Sequence, residues 1–377
     1  MSSVNRAALA KAKRIVIKVG SSTITHSTGK CNFSQIDRLA REIADLENQG
    51  KEIILVSSGA VAVGVDRMGL PEKPRTIPGK QAAAAVGQGV LMHTYEKIFA
   101  DYGQTVAQVL LTRIDSVDRH RYTNCRNTFL ALLEHRVIPI VNENDVVAID
   151  ELKIGDNDNL SATVAGIVDA DLLIILSDVA GLYTANPQRD PNARLVSEVT
   201  DITPAIEASA GEAGSLVGTG GMATKIQAAK AATSSGIHLV IAAGEEKYAI
   251  ERILKGEDLG TLFVSRENRL QFRKRWLAFG ARIVGQIVID SGCAQAVQRA
   301  GSCSILPAGI LAVSGEFEAG NTISVVAEAG QELARGLTNY SSEELQAIKG
   351  TKTSQIEELI GHKQFDEVIH RDNLVIL

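Results

Sequence analysis

Six short, mostly apolar runs, at residues 15–19, 53–57, 106–111, 137–141, 172–176 and 238–242, alternate with stretches of helical pattern. A strand that is apolar at nearly every position, not at every second one, is buried on both faces. Helices inserted between such strands carry the chain back across the sheet, so the strands run mainly parallel and the helices cover both faces. The expected architecture is α/β, a three-layer αβα sandwich with a mainly parallel central sheet. Between the first two runs, Ser34 reads as the cap of a helix that places Ile36, Leu39, Ala40, Ile43 and Leu46 on one face and ends at Gly50. Further helices are predicted over 81–100, 123–135, 160–169 and 222–235.

The texture changes after Gly244. A largely basic stretch from Arg266 to Arg275 leads into short alternating runs at 285–290, 304–306, 310–313 and 322–326, separated by glycines. Closely spaced short strands predict a small β-rich domain. The chain divides into a basic leader (1–13), an α/β domain (14–265), a linker (266–281) and a β-rich domain with a C-terminal tail (282–377). The leader, with Arg6, Lys11 and Lys13 and no acid, is expected to be disordered.

Charge and cysteine usage remove several function classes. With 377 residues and a net charge of −5, the chain has no general attraction for nucleic acid or anionic membrane. No apolar stretch approaches the ~20 residues of a membrane span. Cys31, Cys125, Cys293 and Cys303 form no C-x-x-C pair, so neither a zinc knuckle nor a disulfide framework is indicated and a reducing cytoplasm is the simplest location. The sequence contains no P-loop, no protein-kinase H-R-D or D-F-G, no H-E-x-x-H and no G-x-S-x-G. Gly87-Gln88-Gly89, inside an alanine-rich helical run, is too short for a nucleotide fingerprint and marks close helix packing.

Two lysines carry the chemical signal. Lys18 interrupts the first buried strand, where a lone ammonium is costly to desolvate and needs an anionic partner. Lys225 closes Gly218-Thr219-Gly220-Gly221-Met222-Ala223-Thr224-Lys225 at the start of a helix. Such a glycine-rich turn offers bare backbone N–H groups and the positive end of a dipole, which suits phosphate. Together they point to phosphoryl transfer; the plain alternative is one snorkelling strand lysine and one ordinary helix lysine. Polar tips also follow four strands, namely Lys18-Val19-Gly20-Ser21-Ser22, Ser57-Ser58-Gly59-Ala60, Asn142-Glu143-Asn144-Asp145 and Ser177-Asp178. In open parallel sheets ligands bind beyond the carboxyl ends of the strands, so these tips predict a cleft. Gly155-Asp156-Asn157-Asp158-Asn159 precedes a helix; a simple cap uses one or two of its polar residues, and the whole run reads better as a loop that holds an α-amino acid.

In order and spacing these segments, with Gly181-Leu182-Tyr183-Thr184, resemble the glutamate 5-kinase family, a branch of the amino acid kinases, from about residue 14 to the C-terminus. The C-terminal part is similar to a PUA domain. The resemblance implies an amino acid kinase fold and ATP-dependent phosphorylation of the γ-carboxylate of L-glutamate, the first step from glutamate to proline. It implies that Lys18 and Lys225 bind the ATP phosphates from opposite sides and that Asp178 orients them. Ser177, Asp178, Thr219, Gly220, Gly221, Met222, Ala223, Thr224 and Lys225 would surround the nucleotide. Ser58, Asp145 and Asn157 would hold glutamate. Mg²⁺ would arrive with ATP, bound through phosphate oxygens, with no metal cage on the protein. Ser177 and Ala223 depart from the commoner threonine and serine. The resemblance also implies feedback inhibition by proline, homo-oligomerisation and association with γ-glutamyl phosphate reductase.

Two other readings compete. An aspartate kinase would share Lys18 and the sheet but carry different substrate loops and C-terminal ligand-sensing domains. An RNA-binding protein acting through the PUA-like module is disfavoured by its charge: residues 282–377 hold seven Lys/Arg against twelve Asp/Glu, whereas phosphate contacts dominate nucleic-acid affinity.

Overall fold

β1 (Arg14–Val19) lies in the interior of an eight-stranded sheet, between β2 (Glu52–Ser57) and β5 (Leu172–Ser177), and is parallel to both. The computed structural model describes residues 4–112, 115, 118–148, 157–187, 190–204, 206–207, 221–265, 283–300, 303–363 and 365–376. The chain forms two units, Met1–Arg269 and Leu270–Leu377.

In the first unit the remaining strands are β3 (Thr105–Leu111), β4 (Val137–Glu143), β6 (Glu198–Val199), β7 (His238–Ala243) and β8 (Thr261–Phe263), in the order β3-β4-β2-β1-β5-β7-β8-β6. Every neighbouring pair is parallel except β7 with β8. The six predicted runs are thus β1–β5 and β7. Alternate residues of these strands feed two cores. Ile15, Ile17, Ile53 and Leu55 face Ile36, Leu39 and Ile43 of the Phe33–Asn48 helix and Tyr95 and Phe99 of the Ile77–Asp101 helix. Val16, Ile54, Val56, Leu173 and Ile175 face Leu160 and Val164 of the Asn157–Ile167 helix and Ile226 and Ala229 of the Met222–Ser234 helix. Each fully buried branched side chain contributes roughly 1.5–3 kcal/mol, which is why both faces of the sheet must be covered.

Two local differences from expectation, and one agreement, have physical reasons. The Phe33–Asn48 helix is capped by Asn32, whose side chain accepts from Gln35 N at 3.3 Å, and Ser34 lies inside the first turn; Asn and Ser cap equally well, so the sequence pattern alone does not separate them. Gly87 marks a close helix contact as expected: a Cβ there would fall 1.8 Å from the carbonyl oxygen of Ala60, in the helix Ala60–Arg67, whereas Gly89 faces open space. Residues 4–13 are not a disordered leader. Val4–Ala8 is helical, Leu9 joins the first core, and Arg6 is buried. A reading by net charge missed that Arg6 finds carbonyl partners.

The second unit has a five-stranded sheet, β9 (Gly285–Ile289), β10 (Ile310–Gly315), β11 (Thr322–Ala327), β12 (Glu332–Leu337) and β13 (Leu374–Ile376), ordered β10-β9-β11-β12-β13. β9 and β11 are parallel and the other neighbours antiparallel. Its core, with Ile287, Ile323, Val325, Tyr340 and Ile348, is its own. The predicted strand at 304–306 reduces to one bridge between Ile305 and Ile369. The basic junction, 266–281, lies outside the described residues.

Candidate active site

The four polar strand tips belong to β4, β2, β1 and β5, which are consecutive in the sheet and all parallel. Their carboxyl ends therefore share one edge. Lys18, one residue from the end of β1, is level with Val56 of β2 and Ile175 of β5 and only 5% exposed. Lys225, in the first turns of the Met222–Ser234 helix, is 3% exposed.

One carboxylate joins them. Asp158, fully buried in the first turn of the Asn157–Ile167 helix, places Oδ1 2.6 Å from the Lys18 ammonium and Oδ2 3.1 Å from that of Lys225. Thr224 Oγ1 donates to Oδ2 at 3.0 Å. Burial pushes the Asp158 carboxyl up, but the charges and hydrogen bonds of Lys18 and Lys225 pull it down further, so it stays below the usual carboxylate range. The position at a helix N-terminus favours the same charged form. Two ammoniums meet at one desolvated edge, and an anion is the class of ligand that such a pair attracts.

The residue before Asp158 organises the other half of the edge. Asn157 Nδ2 donates to Ser57 O and Ser58 Oγ, both at 2.9 Å, and to Asn142 Oδ1 at 3.0 Å. Asn142 in turn donates to Gln88 Oε1 at 2.9 Å, and Ser57 Oγ shares a 2.9 Å hydrogen bond with the buried Tyr95 hydroxyl. With Nδ2 committed to protein acceptors, the Asn157 carbonyl oxygen is the side-chain group left to receive a donor such as an ammonium. Gly59 begins the Ala60–Arg67 helix at φ +97°, a backbone state that favours glycine and that turns the Ser58 tip.

The expected site residues therefore fall into several places. Lys18 and Lys225 converge, and Ser58 touches Asn157. Asp145 lies on the turn after β4. Ser177 donates to Asp178 Oδ1 at 2.9 Å at the end of β5. Gly221 caps the Met222–Ser234 helix in extended backbone, with Met222, Ala223 and Thr224 forming its first turn. Thr219 and Gly220 lie outside the described residues. The orienting role expected of Asp178 is corrected: Asp178 is exposed, and among the described residues the carboxylate in contact with both lysines is Asp158. The signal was present in the helical spacing of Asp158 with Ser161, Ala162 and Ala165, which puts the acid on the buried face. Asn142 was marked by its place in a polar strand tip, whereas Gln88 carried no comparable signal.

A family model described as the amino acid kinase family matches residues 13–243, and one for the PUA domain matches 285–360. The glutamate 5-kinase of Moorella thermoacetica is 57% identical over 372 residues, covering 99% of this chain and 98% of that protein. The chain belongs to the glutamate 5-kinase family. The family's enzyme from Carboxydothermus hydrogenoformans is 50% identical, over 99% of this chain and 100% of its own. Among solved structures, a carbamate kinase from Giardia lamblia bound to AMP-PNP superposes with a TM-score of 0.50 at 18% identity, over 68% of this chain and 99% of that one, which shows a shared fold. Among the described residues, no three or more His, Cys, Asp or Glu side chains gather as a metal site, and no helix is long and apolar enough to cross a membrane.

Proposed function

We propose that the protein transfers the γ-phosphoryl group of ATP to the γ-carboxylate of L-glutamate, forming L-glutamyl 5-phosphate and ADP for proline synthesis. The observation that carries this reading is the pair Asn157–Asp158. Consecutive side chains at one helix N-terminus reach the amide-and-hydroxyl cluster on one side and the two ammoniums on the other. A substrate held by Ser58, Asp145 and Asn157 would have its α-ammonium on the Asn157 oxygen and the Asp145 carboxylate, with its side chain directed toward the lysines.

The chemistry then needs little from the protein beyond position and charge. The γ-carboxylate is ionised at neutral pH, so no general base is required. Its oxygen attacks phosphorus as the bond to the ADP oxygen breaks, and negative charge spreads over the phosphoryl oxygens. Lys18 and Lys225 offset that charge from two sides while Asp158 holds both ammoniums in place. Ser177, Asp178 and the 219–225 segment would line the nucleotide. The donor set fits a phosphate chain, since it supplies cations and helix N–H groups. Mg²⁺, when bound with ATP, would neutralise phosphate oxygens that the lysines leave.

Purified protein with ATP, magnesium, glutamate and hydroxylamine should yield γ-glutamyl hydroxamate; its absence, or faster turnover of aspartate, would overturn the assignment. An acyl phosphate hydrolyses readily in water, so hand-over to γ-glutamyl phosphate reductase in the cytoplasm completes the reading. Proline, with an ammonium and an α-carboxylate like those of glutamate, would compete at the same cluster, and the protein would work as a homo-oligomer.

A further inference from the structure

We propose that Arg6 is a positioning residue for the nucleotide half of the site, an inference that rests on the kinase reading above. Arg6 precedes the stretch matched by the amino acid kinase model, yet its side chain is only 1% exposed. Its Nη1 donates to the carbonyls of Glu257 and Leu259, both at 3.1 Å. Nη2 donates to Ser197 O at 2.7 Å and Gly260 O at 2.9 Å, and lies 3.1 Å from Asp258 Oδ1. A planar fork with several donors can serve four carbonyls at once, which a single ammonium cannot match.

Those carbonyls come from two separate stretches, the 257–260 turn and the residue before β6, so the guanidinium sews them together. The turn is pressed against β7: Gly260 has φ +69°, and a Cβ there would lie 2.1 Å from Ile241 O. The next residue, Thr261, is fully buried; its hydroxyl accepts from Leu182 N at 2.8 Å and donates to Val196 O at 2.6 Å. Leu182 O accepts from Val196 N at 2.8 Å and Arg194 O from Thr184 N at 2.9 Å, a short antiparallel ladder that leaves β5 just after Asp178. Without the guanidinium, Ser197 O and Glu257 O would keep only their backbone donors, Leu262 N and Leu259 N, Leu259 O and Gly260 O would lose the Arg6 donors, the seam between Ser197 and Gly260 would loosen, and Thr261 would lose its hold on the ladder.

The sheet order makes the effect one-sided. Arg6 reaches β8, β6 and, through Thr261, the segment after β5, all on one side of β1; the Ser58–Asn157–Asn142 cluster is built on β2 and β4, on the other. The nucleotide affinity should therefore suffer and the glutamate affinity should not. The test uses the full-length protein with Arg6→Met and Arg6→Lys, reading KM for ATP and glutamate and the affinity for MgADP by calorimetry. Arg6→Met should weaken ATP and MgADP about five- to tenfold and Arg6→Lys about two- to threefold, with the glutamate KM within about twofold of the parent. Unchanged MgADP affinity in the variants, or an equal rise in both KM values, would overturn the proposal, because general loss of structure has no reason to spare one substrate. If Arg6→Met does not fold, Arg6→Lys decides by the same criteria. If the parent makes no hydroxamate, the kinase reading fails while the MgADP measurement still judges the clamp.

Discussion

Asp158 illustrates how one buried residue can be structural and functional at once. It holds Lys18 and Lys225 at the ends of its two oxygens, so Asp158→Asn takes from two desolvated ammoniums the carboxylate they share. Breaking a buried pair from one side costs about 3–5 kcal/mol; the variant should melt at a clearly lower temperature, with kcat reduced by about two orders of magnitude or more. Saturating ATP should recover part of the lost melting temperature, because phosphate supplies the missing negative charge; no recovery would argue that the lysines do not meet phosphate. The pH dependence has a definite sign. A carboxyl held below its unfolded value contributes stability in full above about pH 4, and that contribution is lost as pH falls through the folded value. Asp158 should therefore add no ionisation to the activity profile between about pH 6 and 8. Lys225→Met should depress kcat about 10²–10³-fold with little change in glutamate KM, whereas Asp145→Ala should chiefly raise glutamate KM. Steady-state kinetics separates the two, and a change in ATP KM alone for both would refute the division of labour.

At the scale of elements, the site depends on how closely helices approach the sheet. Between the Ala60–Arg67 and Ile77–Asp101 helices Gly64 faces the backbone of Ala83 and Gly87 that of Ala60, and either Cβ would fall 1.8 Å from a carbonyl oxygen. Gly87→Ala should force these helices apart and cost about 1–3 kcal/mol by chemical denaturation; since Gln88 and Tyr95 of the longer helix brace Asn142 and Ser57, glutamate KM should rise with it. Stability and KM unchanged from the parent would show that the contact is not tight. The strands that carry the site, β1, β2, β4 and β5, were legible in sequence because burial on both faces leaves continuous apolar runs. The very short β6 and β8 were not, and neither was β12, whose Glu-Leu-Ala-Arg-Gly-Leu mixes small, charged and apolar residues. The lysines stood out because ammoniums do not belong in apolar surroundings. Asp158 was read with its neighbours as part of a loop that holds an α-amino acid, because its contact with two lysines distant in sequence is a tertiary one, and Arg6 was hidden by a charge count that cannot see backbone carbonyls brought from some 250 positions away.

For the whole molecule, every residue assigned to catalysis or substrate binding lies within Met1–Arg269, while Leu270–Leu377 has a separate core. A fragment ending at residue 265 should keep γ-glutamyl hydroxamate formation within about an order of magnitude of the full chain; complete loss in a fragment that still melts cooperatively would mean that the second unit supplies part of the site. The PUA match by itself suggests RNA, but electrostatics opposes it. Residues 282–377 carry a net formal charge of −5 and so account for the net charge of the whole chain. Each phosphate contact an RNA-binding surface makes requires a cation to displace counterions, and affinity then falls steeply with salt. Of the seven basic residues in 282–377, Arg335 is paired with Glu332 and Lys363 with Asp366, which leaves few cations in that stretch to form such a surface. Gel-shift titrations of the full chain with cellular RNA at low and physiological salt should show no submicromolar, salt-sensitive complex. A complex that weakened about a hundredfold or more on raising the salt would require a basic face on this unit and would make it an RNA-binding module in its own right.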